Sequence, residues 1–142
     1  EGPMEAEREW EPKGIHFENK RVLLAEDNEL NMEIAQEILS DVGIEMEWAE
    51  NGQICTEMFA NSPEGYYAAV LMDIRMPVMD GYEACSIIRA MKRKDAGLPI
   101  IAMTADAFSE DMQRSQQAGM NEHVAKPIDI DKLYQVLGRY IS

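Results

Sequence analysis

Five side chains that could do chemistry stand directly after short apolar runs of the sequence: Glu26, Asp27, Asp73, Thr104 and Lys126. Apolar runs of this kind are typical of strands in a parallel sheet, and ligands of such sheets bind at the carboxyl ends of the strands. Each residue alone could be a helix cap or a surface side chain. Their common placement predicts a site where three carboxylates, a hydroxyl and an ammonium meet.

Three carboxylates so close together would raise each other's pKa unless a cation lay between them. A hard divalent ion is the simplest such cation, and Mg²⁺ prefers oxygen ligands from one or two carboxylates, water and phosphate. We expect Asp27 and Asp73 to bind Mg²⁺ directly and Glu26 to bind it through water. A calcium-binding loop is not indicated, because Asp80-Gly81 lacks the acidic residues that would precede it.

Beside a metal, one carboxylate could attack a phosphoryl group. Asp73 is the candidate, because it ends the most apolar run and precedes a loop whose backbone could approach a phosphate. The metal and Lys126 would neutralise charge on the transferred oxygens, and the Thr104 hydroxyl would donate a hydrogen bond. The product would be an aspartyl phosphate.

The elements that must position these residues alternate from Lys20 onward, with a strand-like run followed by a segment of helical period, five times. This alternation is typical of an α/β domain with a parallel sheet. The second strand alternates glutamates with apolar residues, which predicts an exposed edge. Strands are predicted at 21–25, 45–49, 68–72, 99–103 and 123–125.

The segments between these strands predict amphipathic helices. After the first strand, apolar residues recur every four positions and predict one buried stripe of Leu30, Ile34, Ile38 and Val42. The later helices are predicted around 54–59, over 81–93, over 107–118 and from the cap residue Asp129 to 141.

The composition excludes several functional classes. The chain has 142 residues, 46% of them hydrophobic, which suits one soluble domain. Its formal net charge of −14 argues against a nucleic-acid or anionic membrane surface. The longest basic run, 92–94, predicts a solvated helix end. Cys55 and Cys85 suggest neither a zinc site nor a disulfide framework, so we expect a reducing, cytoplasmic location.

The first 19 residues carry prolines and many glutamates without sustained periodicity. We expect residues 1–19 to be a linker or an expression remnant ahead of a domain at 20–142, although Trp10, Ile15 and Phe17 could still dock. No stretch approaches the ~18 apolar residues of a membrane span.

Four motifs around these residues resemble those of response-regulator receiver domains. They are Val22-Leu-Leu-Ala-Glu-Asp-Asn28, Met72-Asp-Ile-Arg-Met-Pro-Val-Met-Asp-Gly81, Met103-Thr-Ala105 and Ala125-Lys-Pro127. The resemblance covers about 20–141, and the spacings of 46, 31 and 22 residues between Asp27, Asp73, Thr104 and Lys126 fit the family. The first two motifs particularly resemble receivers at the C-terminal end of hybrid sensor histidine kinases.

The resemblance implies a flavodoxin-like fold with strand order 2-1-3-4-5 and five helices on both faces of the sheet. It implies that Asp73 accepts a phosphoryl group from a kinase phosphohistidine with Mg²⁺, and that phosphorylation switches a partner-binding face. The implied metal ligands are Asp27, Asp73 and the main-chain carbonyl of Arg75, with Glu26 through water. The implied phosphate-binding and switch residues are Thr104, Ala105 and Lys126.

The partners implied are a histidine kinase or a histidine phosphotransfer domain, without nucleic acid or membrane contact by this domain. We expect a monomer or a weak dimer. Receivers commonly turn back after the lysine through a cis bond, so the Lys126–Pro127 peptide is predicted to be cis.

One position departs from the family pattern. His123 stands where the family has an aromatic residue that turns inward on activation, so it is either a switch residue or a surface histidine. Arg75 and Asp106 could pair across the phosphate mouth and tune the rate of dephosphorylation. An exposed pair of this kind contributes little to stability.

Two other functions stay open on the sequence alone. A Mg²⁺-dependent phosphohydrolase with an aspartate nucleophile could share the fold, but Asp73-Ile74-Arg75 lacks the second acid of a D-x-D phosphatase. An interaction module with a vestigial site would not need the complete residue set. We expect the isolated domain only to accept and release phosphate, while its parent could be a hybrid histidine kinase, membrane-bound with this domain in the cytosol.

Overall fold

The computed structural model describes residues 16–105 and 112–141, in which five strands alternate with five helices. The strands are β1 (Arg21–Ala25), β2 (Glu45–Ala49), β3 (Ala69–Asp73), β4 (Ile100–Thr104) and β5 (Glu122–Ala125). The helices are α1 (Glu29–Ser40), α2 (Gly52–Ala60), α3 (Gly81–Arg89), α4 (Met112–Ala118) and α5 (Ile130–Ile141).

The strands form one parallel sheet of order β2-β1-β3-β4-β5, which confirms the predicted flavodoxin-like topology. The strand order reverses at β1 and β3, so a crevice opens beyond their carboxyl ends, where ligands of such sheets bind. Strand β2 pairs with β1 alone and is partly exposed, as its alternating sequence predicted.

Two apolar layers fix the sheet in place. Strands β3 and β4 are buried along their whole length, and successive side chains point to opposite layers. One layer joins α1 and α5 to the sheet, and the other joins α2 and α3. Each fully buried aliphatic side chain contributes about 1.5–3 kcal/mol, so the strand ends that carry the polar residues are held by rigid neighbours. Representative members are Leu24, Leu71, Leu133 and Leu137 in the first layer and Leu23, Met72, Phe59 and Ile88 in the second.

The buried face of α1 differs from the predicted stripe. Leu30 and Ile34 are 64% and 45% exposed, whereas Ile38 is buried together with Ala35 and Leu39. The reason is geometric: a step of four residues turns by slightly more than one helical turn of 3.6, so a row of such steps winds around the helix. Its first two members therefore face solvent.

The helix predicted over 81–93 ends at Arg89, where Ala90 forms the C-cap. The predicted solvated helix end is also wrong for Arg93, whose side chain is 12% exposed. Its guanidinium pairs with both oxygens of Asp95 at 2.8 and 2.9 Å and donates to the Ser62 carbonyl at 2.8 Å. The start of the helix predicted over 107–118 lies outside the described residues.

Two further expectations are confirmed, one near each end of the described residues. Phe17 docks: it is 2% exposed, and its N–H donates to the Val42 carbonyl at 2.8 Å. Asp129 caps α5, because its Oδ1 accepts the Lys132 N–H at 3.2 Å. Trp10 and Ile15 lie outside the described residues, and the division at residue 20 stays a prediction. Within the described residues, no helix is both long and apolar enough to cross a membrane.

Candidate functional site

Four of the predicted site residues meet at the carboxyl edge of the sheet. Carboxylate oxygens of Glu26, Asp27 and Asp73 lie within 4.8 Å of one another. The Nζ atom of Lys126 lies 2.9 Å from Glu26 Oε1 and 3.1 Å from Asp73 Oδ2. Glu26 and Asp73 are buried, whereas Asp27 is exposed, so the cluster opens to solvent on one side.

The loop after β1 is held by bonds to Glu26. The Glu26 N–H donates to the Ala49 carbonyl at 3.0 Å, and Glu26 Oε2 accepts the Asn28 N–H at 3.1 Å. Asn28 caps α1 by accepting the Asn31 N–H at 2.9 Å. The indole of Trp48 donates to the Glu26 carbonyl at 2.6 Å. No sequence pattern singled out Trp48, because its alternation with glutamates indicated only an edge strand.

Asp73 is the last residue of β3 and begins a loop that folds back tightly. Its Oδ1 accepts the Arg75 N–H at 3.3 Å, and the Gly81 N–H donates to the Ile74 carbonyl at 2.8 Å. A Cβ at Gly81 would lie 2.4 Å from the Asp73 carbonyl, so only glycine allows α3 to start this close to the strand.

The ends of β4 and β5 complete the edge. Thr104 ends β4 and is 2% exposed, and its carbonyl accepts the Lys126 N–H at 2.8 Å. Ala105 follows Thr104 and is exposed. The Lys126–Pro127 peptide is cis, which confirms that prediction. Asp106 lies outside the described residues, and with it the predicted ion pair to Arg75.

His123 lies further back along β5. Its Nε2 is 2.8 Å from the hydroxyl of Ser115, a fully buried residue of α4. In the sheet, His123 is in register with Ala102, and Thr104 with Ala125. Because residues two apart along a strand share a face, the His123 ring and the Thr104 hydroxyl lie on the same side of the sheet.

The electrostatics of the cluster reflect burial and an excess of carboxylates. Burial raises the pKa of Asp73 to about 6, against the attraction of Lys126, and the charge of Glu26 adds to the rise. Burial also opposes protonation of Lys126, but its bond to Glu26 and the charge of Asp73 outweigh burial and raise its pKa. One ammonium therefore does not compensate the carboxylates, and these hard oxygen ligands fit Mg²⁺.

Comparisons with known proteins agree with this geometry. The family model described as the response regulator receiver domain matches residues 22–138. The peroxide stress-activated histidine kinase mak1 of Schizosaccharomyces pombe is 33% identical over 123 residues, which are 85% of this chain and 8% of that kinase. The chain thus spans less than a tenth of the length of that relative.

Two solved structures share the fold. The receiver domain of sensor histidine kinase PA1611 from Pseudomonas aeruginosa, with magnesium in its active-site cleft, is 36% identical with a TM-score of 0.77, covering 86% of this chain and 97% of that one. The receiver domain of Saccharomyces cerevisiae Ssk1, in complex with the histidine phosphotransfer protein Ypd1, is 27% identical with a TM-score of 0.77, covering 88% and 90%. This chain belongs to the family of response regulator receiver domains of two-component systems.

Proposed function

We propose that Asp73 is the phosphoacceptor of this receiver and takes a phosphoryl group from a phosphohistidine. The observation that carries the proposal is the meeting of Asp73 with Glu26, Asp27 and Lys126 within hydrogen-bond and metal-ligand distances. An Oδ atom of Asp73 attacks the phosphorus, the P–N bond breaks, and its electron pair returns to the imidazole. The product is an aspartyl phosphate.

Each neighbour of Asp73 has a part in this transfer. Asp27, Asp73 and the Arg75 carbonyl would hold Mg²⁺, with Glu26 acting through water. When bound, Mg²⁺ neutralises charge on the phosphoryl oxygens. The Lys126 ammonium pairs with these oxygens once they arrive, and the Thr104 hydroxyl and the Ala105 N–H donate hydrogen bonds to them.

The ionisation of Asp73 suits this role. A pKa of about 6 leaves most of the carboxylate ionised at pH 7, and a carboxylate rather than a carboxylic acid is the nucleophile. A nearby cation favours the charged form further.

The partner that we propose is a histidine kinase or a histidine phosphotransfer domain, because Ypd1 binds the related Ssk1 receiver. Leu30 and Ile34 expose an apolar pair on α1, the helix that begins beside Asp27. Exposed apolar side chains beside a polar site are typical of protein docking surfaces. We propose a cytoplasmic location, a hybrid histidine kinase as the parent protein, and no enzyme activity beyond phosphoryl acceptance and release.

Three residues beyond the cluster are proposed to modulate the phosphorylated state. His123 occupies the position of the aromatic switch and would report phosphorylation toward α4 through Ser115. Arg75 and Asp106 would screen the phosphate from water and so set its lifetime.

Radioactive phosphate transfer from a histidine phosphotransfer protein tests the assignment. We expect Asp73→Asn to fold and to incorporate no phosphate, because an amide is a poor nucleophile. Asp80→Asn is the matched control: Asp80 caps α3 through the Glu83 N–H at 2.9 Å, and asparagine caps equally well. Incorporation by Asp73→Asn equal to that of Asp80→Asn would refute the proposal, and steady turnover of a phosphate ester would favour a phosphohydrolase.

A further inference from the structure

We propose that Trp48 is a positioning residue for the Mg²⁺ site, because its indole N–H holds the carbonyl of the peptide group that precedes Asp27. This inference rests on the proposed metal site and names a residue outside the metal-binding and phosphate-binding residues. The Trp48 Nε1 atom lies 2.6 Å from the Glu26 carbonyl oxygen.

The bond ties the loop after β1 to the edge strand. Trp48 is in register with Leu24, so its side chain lies on the side of the sheet that α1 covers. The Glu26 N–H is fixed separately to the Ala49 carbonyl at 3.0 Å. The peptide groups on both sides of Glu26 are therefore anchored to β2, one through the backbone and one through the indole.

Asp27 depends on this anchoring more than its neighbours do. The carboxylates of Glu26 and Asp73 are both bonded to Lys126. Across 16–105 and 112–141, the Asp27 carboxylate has no hydrogen bond or ion pair, and it is exposed. The direction of its Cα–Cβ bond is consequently set by the backbone, and the Glu26 carbonyl belongs to the peptide group that carries the Asp27 N–H.

The geometry predicts a defined consequence for metal binding. Without the indole donor, the Glu26–Asp27 peptide group can rotate, and Asp27 spends less time in the ligand position. A hydrogen bond contributes about 0.5–1.5 kcal/mol, which corresponds to a change in Kd of roughly 2-fold to 12-fold.

Trp48→Phe keeps an aromatic ring and removes the donor. Calorimetric titration of the full chain with Mg²⁺ should give a Kd about 2-fold to 12-fold higher than that of the unmodified chain, in line with one lost hydrogen bond. The rate of phosphorylation should return to the unmodified value at saturating Mg²⁺, because the residues that contact the phosphoryl group are unchanged.

The matched control is Met46→Ala on the same strand and the same side of the sheet. This change removes packing and leaves the indole bond, so it should lower Tm without changing the Mg²⁺ Kd. An equal Kd for Trp48→Phe and the unmodified chain would overturn the inference. Asp27→Ala separates this result from failure of the site itself: if it also binds Mg²⁺ normally, the proposed metal site is wrong.

A fluorescence measurement tests the inference without altering Trp48. The sequence has two tryptophans, so Trp10→Phe leaves Trp48 as the single indole emitter. Its emission should change on Mg²⁺ addition with a midpoint equal to the calorimetric Kd. An emission that stays constant to saturation would show that the indole and the metal site are not coupled.

Discussion

Charged side chains with little exposure to solvent lie at the carboxyl edge of the sheet, where the strands end, and near the amino edge, where the strands begin. The two edges differ in the groups that pair with these charges. At the carboxyl edge, the carboxylates of Glu26 and Asp73 share the ammonium of Lys126, and the exposed carboxylate of Asp27 lies beside them without a cation of its own among the described residues. At the amino edge, the guanidinium of Arg93 has a carboxylate of its own, Asp95, and several backbone carbonyls.

The amino edge also contains Arg89. Its guanidinium donates to the carbonyls of Gly119, Ala96 and Leu98 at 2.7, 2.8 and 2.6 Å. It also donates to the side chain of Asn121 at 2.9 Å. These bonds join the end of α3 to the loops that precede β4 and β5.

The difference separates charges that hold the fold from charges that bind a ligand. Donors matched to acceptors in fixed positions stabilise an edge and leave few hydrogen-bonding groups free to bind another ion. The carboxyl edge keeps an excess of negative charge, which costs stability in the free protein and is relieved by a cation. We therefore expect substitutions at the two edges to change stability in opposite directions.

Arg93→Met should have the largest effect on stability. Asp95 would lose its cationic partner, and the Ser62 carbonyl would lose the donor that Arg93 provides. Breaking a buried ion pair costs about 3–5 kcal/mol in the free energy of unfolding, and we expect the low end of this range because the two side chains are 12% and 14% exposed. Urea denaturation measures the loss, with the exposed neighbour Lys92→Met as control. A loss no larger than that of the control would contradict a stabilising amino edge.

The sequence predicted the carboxyl edge better than the amino edge. Asp73 and Thr104 follow apolar runs that specify a strand, so their places were determined by local pattern. Asp95 lies only two residues from Arg93, but the Ser62 carbonyl that Arg93 also bonds belongs to a loop 31 residues earlier in the chain. Contacts between loops distant in sequence leave no periodic signal.

The same limit explains the other differences. The exposure of Leu30 depends on how α1 is rotated against the sheet, which the four-residue spacing does not determine. The bond from Trp48 to Glu26 depends on the register of β1 with β2. The family motifs predicted strand order, whereas these tertiary details required coordinates.

Asp73→Asn should stabilise the metal-free protein. Burial raises the pKa of Asp73 to about 6 from a usual 3.8, so the folded state binds more protons than the unfolded state between these values. The free energy of unfolding of the unmodified chain therefore falls as pH rises through this window. Above pH 6 the cost approaches about 3 kcal/mol, a value that already includes the attraction of Lys126.

At pH 7 with a chelator present, we expect the free energy of unfolding of Asp73→Asn to exceed that of the unmodified chain by about 1–3 kcal/mol. This difference should disappear below pH 4, where Asp73 is protonated in both the folded and the unfolded state. Saturating Mg²⁺ should reverse the order, because a ligand that binds only the folded state stabilises it. Thermal unfolding with and without Mg²⁺ measures both. If metal-free Asp73→Asn is less stable than the unmodified chain, Lys126 already balances the negative charge of the carboxylates at the carboxyl edge.

Leu30→Ser tests whether the docking surface lies beside the carboxyl edge. We expect binding to a histidine phosphotransfer protein to weaken about 10-fold, or ~1.4 kcal/mol, because an apolar contact is lost. Stability should change little, since Leu30 is 64% exposed. Ile87→Ser, at an exposed apolar position of α3, is the control. Equal affinities of both variants would place the partner elsewhere.

The smallest expected effect concerns His123, which lies between the two edges and would carry a signal away from the carboxyl edge. Its Nε2 is bonded to the buried Ser115 hydroxyl at 2.8 Å. Ser115→Ala removes that partner and should lower the free energy of unfolding by about 0.5–1.5 kcal/mol.

The same variant shows whether the bond responds to phosphorylation. If phosphorylation at Asp73 moves the His123 ring, a phosphate mimic should shift the ring nitrogen signals in NMR spectra of the unmodified chain. Because the ring of Ser115→Ala has already lost the bond, its shift should be smaller. If the phosphate mimic leaves the ring nitrogen signals unchanged in both proteins, His123 is a structural residue of β5. The switch toward partners would then have to run through the loops around Asp73 and Thr104.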